Sequence, residues 1–501
     1  MNKIIIIGGG INGLVAANYL IKNGFDVSII EKKSHTGGAC IKDTVEIQNK
    51  KIDFAYGATV LGMMPDFIFE ETGLSRKISG YYPKTPKLVY FNNQESSTRI
   101  YQDHQKLEKE LKEKWGETGK VNEFRNDENK VIKFIQELYK SGTSPSVDLA
   151  NNYLGKEITK LWITGNAKDL LDHYFSSEKT KLYMGMTVIE SGPASIYDPG
   201  TAFTIPLMDS GSVYKGYWGF VKTGIWKITE NLTKINKDLG VKFYMESNIE
   251  EVDDKNNSIF LSKESKNFQI NYDKLIFATD PITPSKLLKN FKNEINLDLI
   301  GTSGKVTAFF KNPVVWKDSN TYSDSFRFIF SVDTLESFEN ASQNALKGLD
   351  DYFPGFIQIY PEGSAQRKMG NNEEFDKLIF FSKNISYDKK ALSLEDVKER
   401  IISTVIPYIE NPEDIVFSKL LTPKDLNETF LFPEGNIDHI TLTGNQNFEK
   451  RTFSNNKDNF YSYYNYDNIF YCGAGSFPCG SVAGTPGYMC SKQLIRSISK
   501  T

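Results

Sequence analysis

A glycine-rich turn near the amino terminus has the spacing of a dinucleotide phosphate site. Residues 8–13 read Gly-Gly-Gly-Ile-Asn-Gly and follow an aliphatic stretch, Lys3 to Ile7. In the G-x-G-x-x-G motif the first glycine allows the tight turn and the second lets a pyrophosphate approach the backbone. The third lets helix and strand pack closely. Gly8, Gly10 and Gly13 hold these three positions, so the motif predicts a dinucleotide where a strand passes into a helix.

An acidic residue ends the next predicted strand. The predicted strand Phe25 to Glu31 ends on a carboxylate, and Glu31 stands at the distance at which an acidic side chain accepts hydrogen bonds from a ribose diol. Its charge would repel a 2′-phosphate, so the pattern favours FAD or NAD over NADP. The alternative is a glycine turn in an ordinary α/β unit that binds no ligand.

A second run of small residues, 473–487, lies near the carboxyl terminus. It stands between a short predicted strand, Asn468 to Cys472, and a last helix that ends near Ser499. Small residues before a helix expose backbone N–H groups and the positive end of the helix dipole. A reduced flavin gains negative charge at N1 and O2, which such a helix start would stabilise. A nicotinamide enzyme does not need this second turn, so the pair of turns favours FAD.

Composition predicts a globular protein with two domains. The chain has 501 residues, which is too long for one simple core, with 39% hydrophobic and 25% charged residues. A net charge of −3 gives no basic surplus, so no nucleic-acid partner is expected. The apolar amino-terminal run is too short for a signal peptide, and no segment has the length of a membrane helix. We expect a cytoplasmic protein, with peripheral membrane contact left open.

Cysteine and histidine spacing predicts neither a redox disulfide nor a metal site. The cysteines form no C-x-x-C pair, and the histidines are scattered without the spacing of zinc ligands. These residues are Cys40, Cys472, Cys479 and Cys490, and His35, His104, His173 and His439.

Several motifs together resemble one flavoprotein superfamily. Residues 8–38, with Glu31, resemble the amino terminus of FAD-dependent phytoene desaturases and amine oxidases. Within this superfamily the chain is most similar to phytoene dehydrogenase-like proteins of the pyridine nucleotide-disulfide oxidoreductase domain-containing protein 2 type. It departs from them at Thr223-Gly224, where they often carry a glycine pair, and at residues 478–481, where they are richer in glycine. The later stretches that carry the resemblance are residues 195–202, 216–224, 435–439 with Arg451, and 472–488.

The resemblance implies an α/β fold with two interwoven domains. A Rossmann-like FAD-binding domain of the glutathione reductase type would be joined to a substrate domain made of a mixed sheet and a helical part. The chain shows no internal repeat or linker, which fits interwoven domains. We expect the FAD-binding domain at residues 1–79, 191–289 and 416–501, the helical part of the substrate domain at 80–190, and its sheet at 290–415.

The resemblance also implies which residues contact the cofactor. The segment 248–252 would pass the adenine, with Ile249 bonding it through its backbone, and Ala278-Thr279 resembles the turn that leaves the cofactor domain. Residues 56–58, 217–226 and 476–481 should lie near the isoalloxazine. The implied FAD contacts are Gly8, Gly10, Ile11, Asn12, Gly13, Glu31, Lys32, Gly37, Gly38, Ala39, Ile249, Ala278, Thr279, Gly473, Ala474, Ser481 and Val482.

A single dinucleotide motif indicates that the substrate itself donates the electrons. A bound flavin accepts a hydride at N5, so we expect an oxidoreductase (desaturase, dehydrogenase or oxidase) that takes a hydride from a C–C or C–N bond of a small molecule. A lipophilic polyene and an amine or amino-acid derivative are rival substrates, and frequent aromatic residues favour the apolar one slightly. A redox-neutral isomerase and a non-catalytic interaction protein are alternatives. Oxygen, a quinone or a protein could accept the electrons, and the oligomeric state stays open.

Three side chains are weak catalytic candidates. His439 could be a general base, although a structural hydrogen-bonding role is favoured. Cys479 should lie near the flavin, where a tether or redox role is the less favoured interpretation. Arg451 could bind a substrate carboxylate, although an exposed salt bridge is favoured.

Overall fold

The computed structural model describes most of the chain. The described residues are 2–91, 96–189, 192–264, 266–318, 320–347, 352–387, 393–456 and 459–499. The expected domain boundary between residues 190 and 191 lies outside them.

Strands occur along the whole described chain. They are β1 (Lys3–Ile7), β2 (Asp26–Ile30), β3 (Lys42–Ile47), β4 (Lys50–Ala55), β5 (Gly80–Tyr81), β6 (Lys87–Phe91), β7 (Thr98–Ile100), β8 (Phe220–Val221), β9 (Lys242–Tyr244), β10 (Asn248–Asp253), β11 (Ser258–Lys263), β12 (Lys266–Asn271), β13 (Lys274–Phe277), β14 (Gly304–Phe310), β15 (Arg327–Phe330), β16 (Phe356–Tyr360), β17 (Asp376–Ser382), β18 (Ile415–Leu421) and β19 (Ile469–Tyr471).

The α-helices concentrate between residues 104 and 208 and recur between the later strands. They are α1 (Ile11–Lys22), α2 (Asp66–Glu71), α3 (His104–Trp115), α4 (Val121–Ser141), α5 (Val147–Leu154), α6 (Lys156–Ile158), α7 (Ala167–Tyr174), α8 (Glu178–Gly185), α9 (Thr204–Met208), α10 (Lys227–Asp238), α11 (Thr283–Leu287), α12 (Leu335–Leu346), α13 (Glu362–Lys368), α14 (Leu394–Val405), α15 (Pro423–Phe430) and α16 (Thr485–Ser499).

A five-stranded parallel sheet positions the glycine turn. Its strand order is β19-β13-β1-β2-β9, and every neighbouring pair is parallel. The isoleucines of β1 are buried, as the central strand of a parallel sheet covered on both faces requires. Helix α1 connects β1 to β2 and forms a βαβ unit. Because the strands are parallel, their carboxyl ends lie at one edge, where α/β folds bind ligands.

A seven-stranded mixed sheet forms the second layer of structure. Its order is β18-β14-β17-β16-β15-β6-β7; β6 and β15 are parallel, and the other neighbours are antiparallel. One face packs into the main core, while the opposite face forms a separate core with α14. The predicted fold class, a Rossmann-like domain joined to a mixed sheet with helices, is confirmed.

Two expectations for the substrate region need correction in detail. Residues 80–190 were expected to be helical, but they also contribute β6 and β7 to the seven-stranded sheet. The reason is the apolar run Leu88 to Phe91, which is buried on both faces and too short for a buried helix. The expected boundary after residue 415 cuts into β18, which pairs with β14.

In the part of the chain that the structure describes, no helix has the length and apolar character needed to cross a membrane.

Candidate functional site

A cleft of about 450 Å³ opens at the carboxyl edge of the five-stranded sheet. Most of the residues predicted to contact the cofactor line it, although the first and last of them are far apart in sequence. Those that line it are Gly8, Gly10, Ile11, Asn12, Glu31, Lys32, Gly37, Gly38, Ala39, Ile249, Ala278, Thr279, Ala474, Ser481 and Val482. Gly57, Ala58, Trp218 and Gly480, from the segments expected near the isoalloxazine, also line it.

Two predicted contacts, Gly13 and Gly473, do not line the cleft. A Cβ on Gly13 would lie 2.2 Å from the Gly8 carbonyl oxygen, and one on Gly473 would lie 2.0 Å from that of Thr279. Both positions therefore need glycine for close packing of the backbone. They shape the cleft from behind its surface.

Gly10 differs from these two glycines because the protein itself has room for a side chain there. Its φ of −72° is an ordinary value, and a Cβ would find its nearest neighbour, the Gly38 Cα, at 3.9 Å. A Cβ on Gly10 would instead take up part of the cleft. The absence of a side chain thus leaves space that a pyrophosphate needs.

The start of α1 supplies hydrogen-bond donors for phosphate. Gly10 is the N-cap of this helix and offers no side-chain cap, so the first N–H groups are left for a ligand. The Glu31 carboxylate lies beside this turn, where Oε2 accepts from the Gly9 N–H at 2.8 Å and Oε1 from the Lys33 N–H at 2.9 Å. These two bonds fix the carboxylate in the cleft, and its remaining lone pairs can accept from a ribose diol.

The carboxyl-terminal turn brings a second helix start to the same cleft. Ser481 and Val482 have positive φ values of 67° and 57°. A β-branched residue in this region is strained by about 1–3 kcal/mol, and such strain concentrates at functional sites. Helix α16 packs tightly on α1, since a Cβ on Gly487 would lie 2.0 Å from the Asn12 carbonyl oxygen. Both helix N-termini therefore point their positive ends toward one cavity.

His439 lines the cleft, but it is not suited to act as a base at neutral pH. Burial lowers the pKa of its imidazole to about 4, although the charge of Asp280 opposes this shift. Its ring lies 5.0 Å from that of Phe432. We infer that His439 stays neutral and shapes the cleft wall.

Arg451 is buried, so the favoured interpretation of an exposed salt bridge is wrong, and the residue lies outside the cleft lining where a substrate carboxylate would bind. It is fully buried, does not line the cleft, and donates hydrogen bonds to backbone carbonyls. Nη2 donates to Asp438 at 2.8 Å and to Ala474 at 3.0 Å, and Nη1 donates to Gln446 at 2.9 Å. The guanidinium thus ties the segment before it to the turn that lines the cleft.

Arg451→Met should therefore destabilise the protein while changing no group in the cleft. Charge-assisted hydrogen bonds contribute about 1.5–3 kcal/mol each, so we expect a loss of at least about 3 kcal/mol in the free energy of unfolding. Denaturant unfolding of the FAD-loaded protein measures this, with Arg496→Met, an exposed arginine on α16, as the control. Equal stability of the two variants would contradict this role.

Cys479 is buried behind the cleft and does not line it. Its thiol points toward the Met63 sulfur at 4.0 Å. Its neighbours Gly480 and Ser481 line the cleft, whereas Cys479 does not, and its place near the flavin stays a prediction.

Lys305 is a cleft residue that the sequence did not indicate. It lies on β14 of the seven-stranded sheet, is 6% exposed, and lines the cleft. Nζ donates to the Ala55 carbonyl at 2.8 Å and to the Thr59 hydroxyl at 2.9 Å. Burial lowers the pKa of this ammonium to about 7, and the charge of Glu362 only partly opposes the shift. A neutral Lys305 can accept a proton in the cleft.

A second cavity of about 90 Å³ adjoins the cleft, and Val60, Trp218 and Tyr360 line both. It lies between the inner face of the seven-stranded sheet and the helices α4 and α9. Four charged side chains face it: Lys87, Arg125, Glu128 and Asp209. They come from distant parts of the chain, and nothing in the sequence patterns of their helices and strands predicts that they lie close together.

Comparisons with known proteins agree with this architecture. Residues 6–67 match the model of an NAD(P)-binding Rossmann-like domain. The chain is 23% identical to a 4,4′-diapophytoene desaturase (4,4′-diaponeurosporene-forming) of Staphylococcus aureus strain COL. The alignment covers 98% of this chain and 97% of that protein. The chain is thus similar, over nearly its whole length, to the FAD-dependent phytoene desaturase and amine oxidase superfamily. It is therefore an FAD-dependent oxidoreductase, and the cleft with its two helix starts fits that cofactor.

Solved structures show the same fold at low identity. Cyclohexylamine oxidase from Brevibacterium oxydans IH-35A aligns with a TM-score of 0.62 and 14% identity, covering 100% of this chain and 99% of that one. Wild-type putrescine oxidase bound to putrescine aligns with a TM-score of 0.59 and 13% identity, with the same coverage. The more specific resemblance to the oxidoreductase domain-containing protein 2 type stays a prediction.

Proposed function

We propose that this protein oxidises a C–N or C–C single bond of a small organic molecule to a double bond, with FAD as the oxidant and Lys305 as the proton acceptor. The observation that carries the proposal is the buried Lys305 amine, which faces the cofactor cleft. Its pKa of about 7 leaves a large fraction of the amine neutral at physiological pH. A base with a pKa near the working pH is the most effective one.

The reaction needs two groups, and the cleft offers a place for both. Bound FAD supplies a two-electron acceptor that takes a hydride from carbon. Loss of the hydride leaves a cationic substrate, and loss of a proton from the adjacent nitrogen or carbon then gives C=N or C=C. Lys305 takes that proton, while its bonds to Ala55 and Thr59 hold the amine in one position.

The second cavity is the proposed binding place for the rest of the substrate. Trp218 and Tyr360 stand between the two cavities. The Trp218 indole donates to the Met208 carbonyl at 3.2 Å, and the Tyr360 hydroxyl donates to Gln358 at 2.7 Å. These bonds fix both rings, so the passage between the cavities has a set shape.

The charged lining of the second cavity favours a polar substrate over a polyene. A polyene would bury Lys87, Arg125, Glu128 and Asp209 against hydrocarbon, at a cost of several kcal/mol for each charge that is left unpaired. We therefore place an amine or amino-acid derivative ahead of the lipophilic substrate that the aromatic content favoured. Oxygen, a quinone and a protein remain the candidate electron acceptors.

An anaerobic screen tests the proposal. The FAD-loaded protein is mixed with amines, amino-acid derivatives and polyenes, and loss of the oxidised flavin absorbance is followed. Bleaching by a polar amine or amino-acid derivative supports the proposal. Bleaching by polyenes alone would contradict the substrate class, and absence of bleaching by every class, with dithionite still reducing the flavin, would contradict the oxidation itself.

The pH dependence of bleaching distinguishes the two candidate bases. Because neutral Lys305 accepts the proton, the rate should rise with pH up to about 7 and then level off. His439→Gln should leave this midpoint unchanged, since burial lowers the pKa of that imidazole to about 4. Stopped-flow reduction across pH measures both. A midpoint that disappears in His439→Gln would assign the base to the histidine instead.

A further inference from the structure

The second cavity holds two positive and two negative side chains, of which two form an ion pair. Arg125 Nη1 lies 2.6 Å from Glu128 Oε2, and both side chains are largely buried, at 18% and 5% exposure. Among the described residues, Lys87 and Asp209 form no ion pair, although the Lys87 ammonium shares a hydrogen bond with the Tyr183 phenol. Charges of both signs therefore face the cavity with bonding capacity left over.

Arg125 Nη2, unlike Nη1, meets only a weak acceptor in this cluster. Arg125 Nη2 points at the Met184 sulfur at 3.6 Å, and a thioether accepts hydrogen bonds poorly. The Lys87 ammonium lies 5.9 Å from the centre of the Phe328 ring. Burial acts to lower the pKa of Lys87, but the Tyr183 phenol and the Asp209 carboxylate raise it above the usual value. Lys87 is therefore a cation held in the cavity wall.

We propose that the second cavity binds the zwitterionic head group of the substrate, with its carboxylate at Lys87 and Arg125 and its ammonium at Asp209 and Glu128. This inference rests on the proposed function, whose substrate it specifies. The two signs of charge are balanced in the cavity, so a ligand with a single charge would leave one side of the cluster without a partner. A head group with both charges supplies Lys87 and Asp209 with the ion-pair partners that they lack, and it adds a second partner to Arg125 and to Glu128.

The head group lies away from the reacting bond. Lys305, Phe381, Gln358 and Phe328 are direct cross-strand neighbours on β14, β17, β16 and β15. Neighbouring strands are about 4.8 Å apart, so this row spans roughly 14 Å from the cofactor cleft to the second cavity. The substrate is therefore an elongated amino-acid derivative, oxidised at a bond remote from its amino-acid group.

Three ligands with the same chain length test the head group. Norleucine carries both charges, hexanoate only the negative one, and hexylamine only the positive one. Calorimetric titration of the FAD-loaded protein should show norleucine binding at least about tenfold more tightly than either analogue, which corresponds to ~1.4 kcal/mol. Equal affinity of hexanoate or hexylamine, or absence of norleucine binding, would overturn the proposal.

Two variants assign the contacts without breaking the Arg125–Glu128 pair. Lys87→Gln should weaken norleucine and hexanoate about tenfold and leave hexylamine unchanged, whereas Asp209→Asn should weaken norleucine and hexylamine. Lys130→Gln is the matched control, because Lys130 lies on the same helix as Arg125 and is exposed. Lys87→Arg should restore norleucine binding, and FAD content reports correct folding. Variants that leave all three affinities unchanged would overturn the assignment.

Binding and oxidation can fail separately. Norleucine binding with no bleaching by any compound would contradict the proposed function and leave the head-group site standing. If amines bleach the flavin and their affinity is unchanged in Lys87→Gln and in Asp209→Asn, the oxidation is supported and this inference is overturned.

Discussion

Gly10→Val should give a folded protein that has lost its FAD. A Cβ at this position has space within the protein, with its nearest neighbour at 3.9 Å, but it extends into the cleft where the pyrophosphate is expected. The variant should purify with less than about a tenth of the wild-type FAD, which means at least ~1.4 kcal/mol of lost binding energy. Flavin absorbance per mole of protein measures this directly. Gly10→Ala, which adds the Cβ alone, should show an intermediate loss.

Gly13→Ala is the contrasting variant for this experiment. Its Cβ would lie 2.2 Å from the Gly8 carbonyl oxygen, so the strand and helix must separate and the fold itself should fail. Gly10→Val should unfold at the same temperature as the wild-type apoprotein, because it lacks the stabilisation that bound FAD adds. That stabilisation is about 2.7 kcal/mol when the FAD concentration exceeds its Kd a hundredfold. Full FAD content in Gly10→Val would contradict the placement of the pyrophosphate.

Lys305→Met should retain FAD and lose most of its activity. The substitution keeps an unbranched side chain that is one atom shorter and removes the amine, so anaerobic reduction by substrate should slow by about a hundredfold or more. Removing a buried amine stabilises the fold, whereas leaving the Ala55 and Thr59 oxygens without this donor costs about 1–3 kcal/mol each. These effects oppose each other, and we expect the variant to stay folded.

The control for this variant is a lysine on the adjacent strand. Lys419 lies on β18, pairs with Asp43 at 2.7 Å, and does not line the cleft. Lys419→Met should reduce its flavin at the wild-type rate. A wild-type rate in Lys305→Met, with the pH midpoint unchanged, would rule out Lys305 as the proton acceptor.

The cofactor side of the cleft could be predicted from sequence because its signals are local. Gly8, Gly10 and Gly13 lie within one turn, and Glu31 follows at the end of the next strand. The cleft walls at Ala278 and Ser481 lie far along the chain, and only the resemblance to known flavoproteins connected them to this turn. The comparisons confirm the fold and the cofactor, whereas the individual contacts stay predictions.

The substrate side could not be predicted because its polar residues have the pattern of an exposed strand. In β14 the polar residues Lys305 and Thr307 alternate with Val306 and Ala308, which is typical of a sheet with one face in water. The structure buries both faces, and the polar face meets the cofactor cleft. Arg125 on α4 has the same ambiguity, since an amphipathic helix places charges toward solvent unless a neighbour covers them.

The order of strands in the parallel sheet affects how this protein is made. The cleft needs β1 and β2 from the beginning of the sequence, β13 from its middle, and Ser481 and Val482 from its last part. At about 5–20 residues per second, translation takes roughly 24–95 s to pass from Gly8 to Ser481. The isoleucines of β1 and β2 are synthesised long before β13 and β19 can cover them. During synthesis β1 and β2 therefore precede β13 and β19 of the same sheet by more than two hundred residues, and the full cofactor site forms only after Ser481 and Val482 have been made.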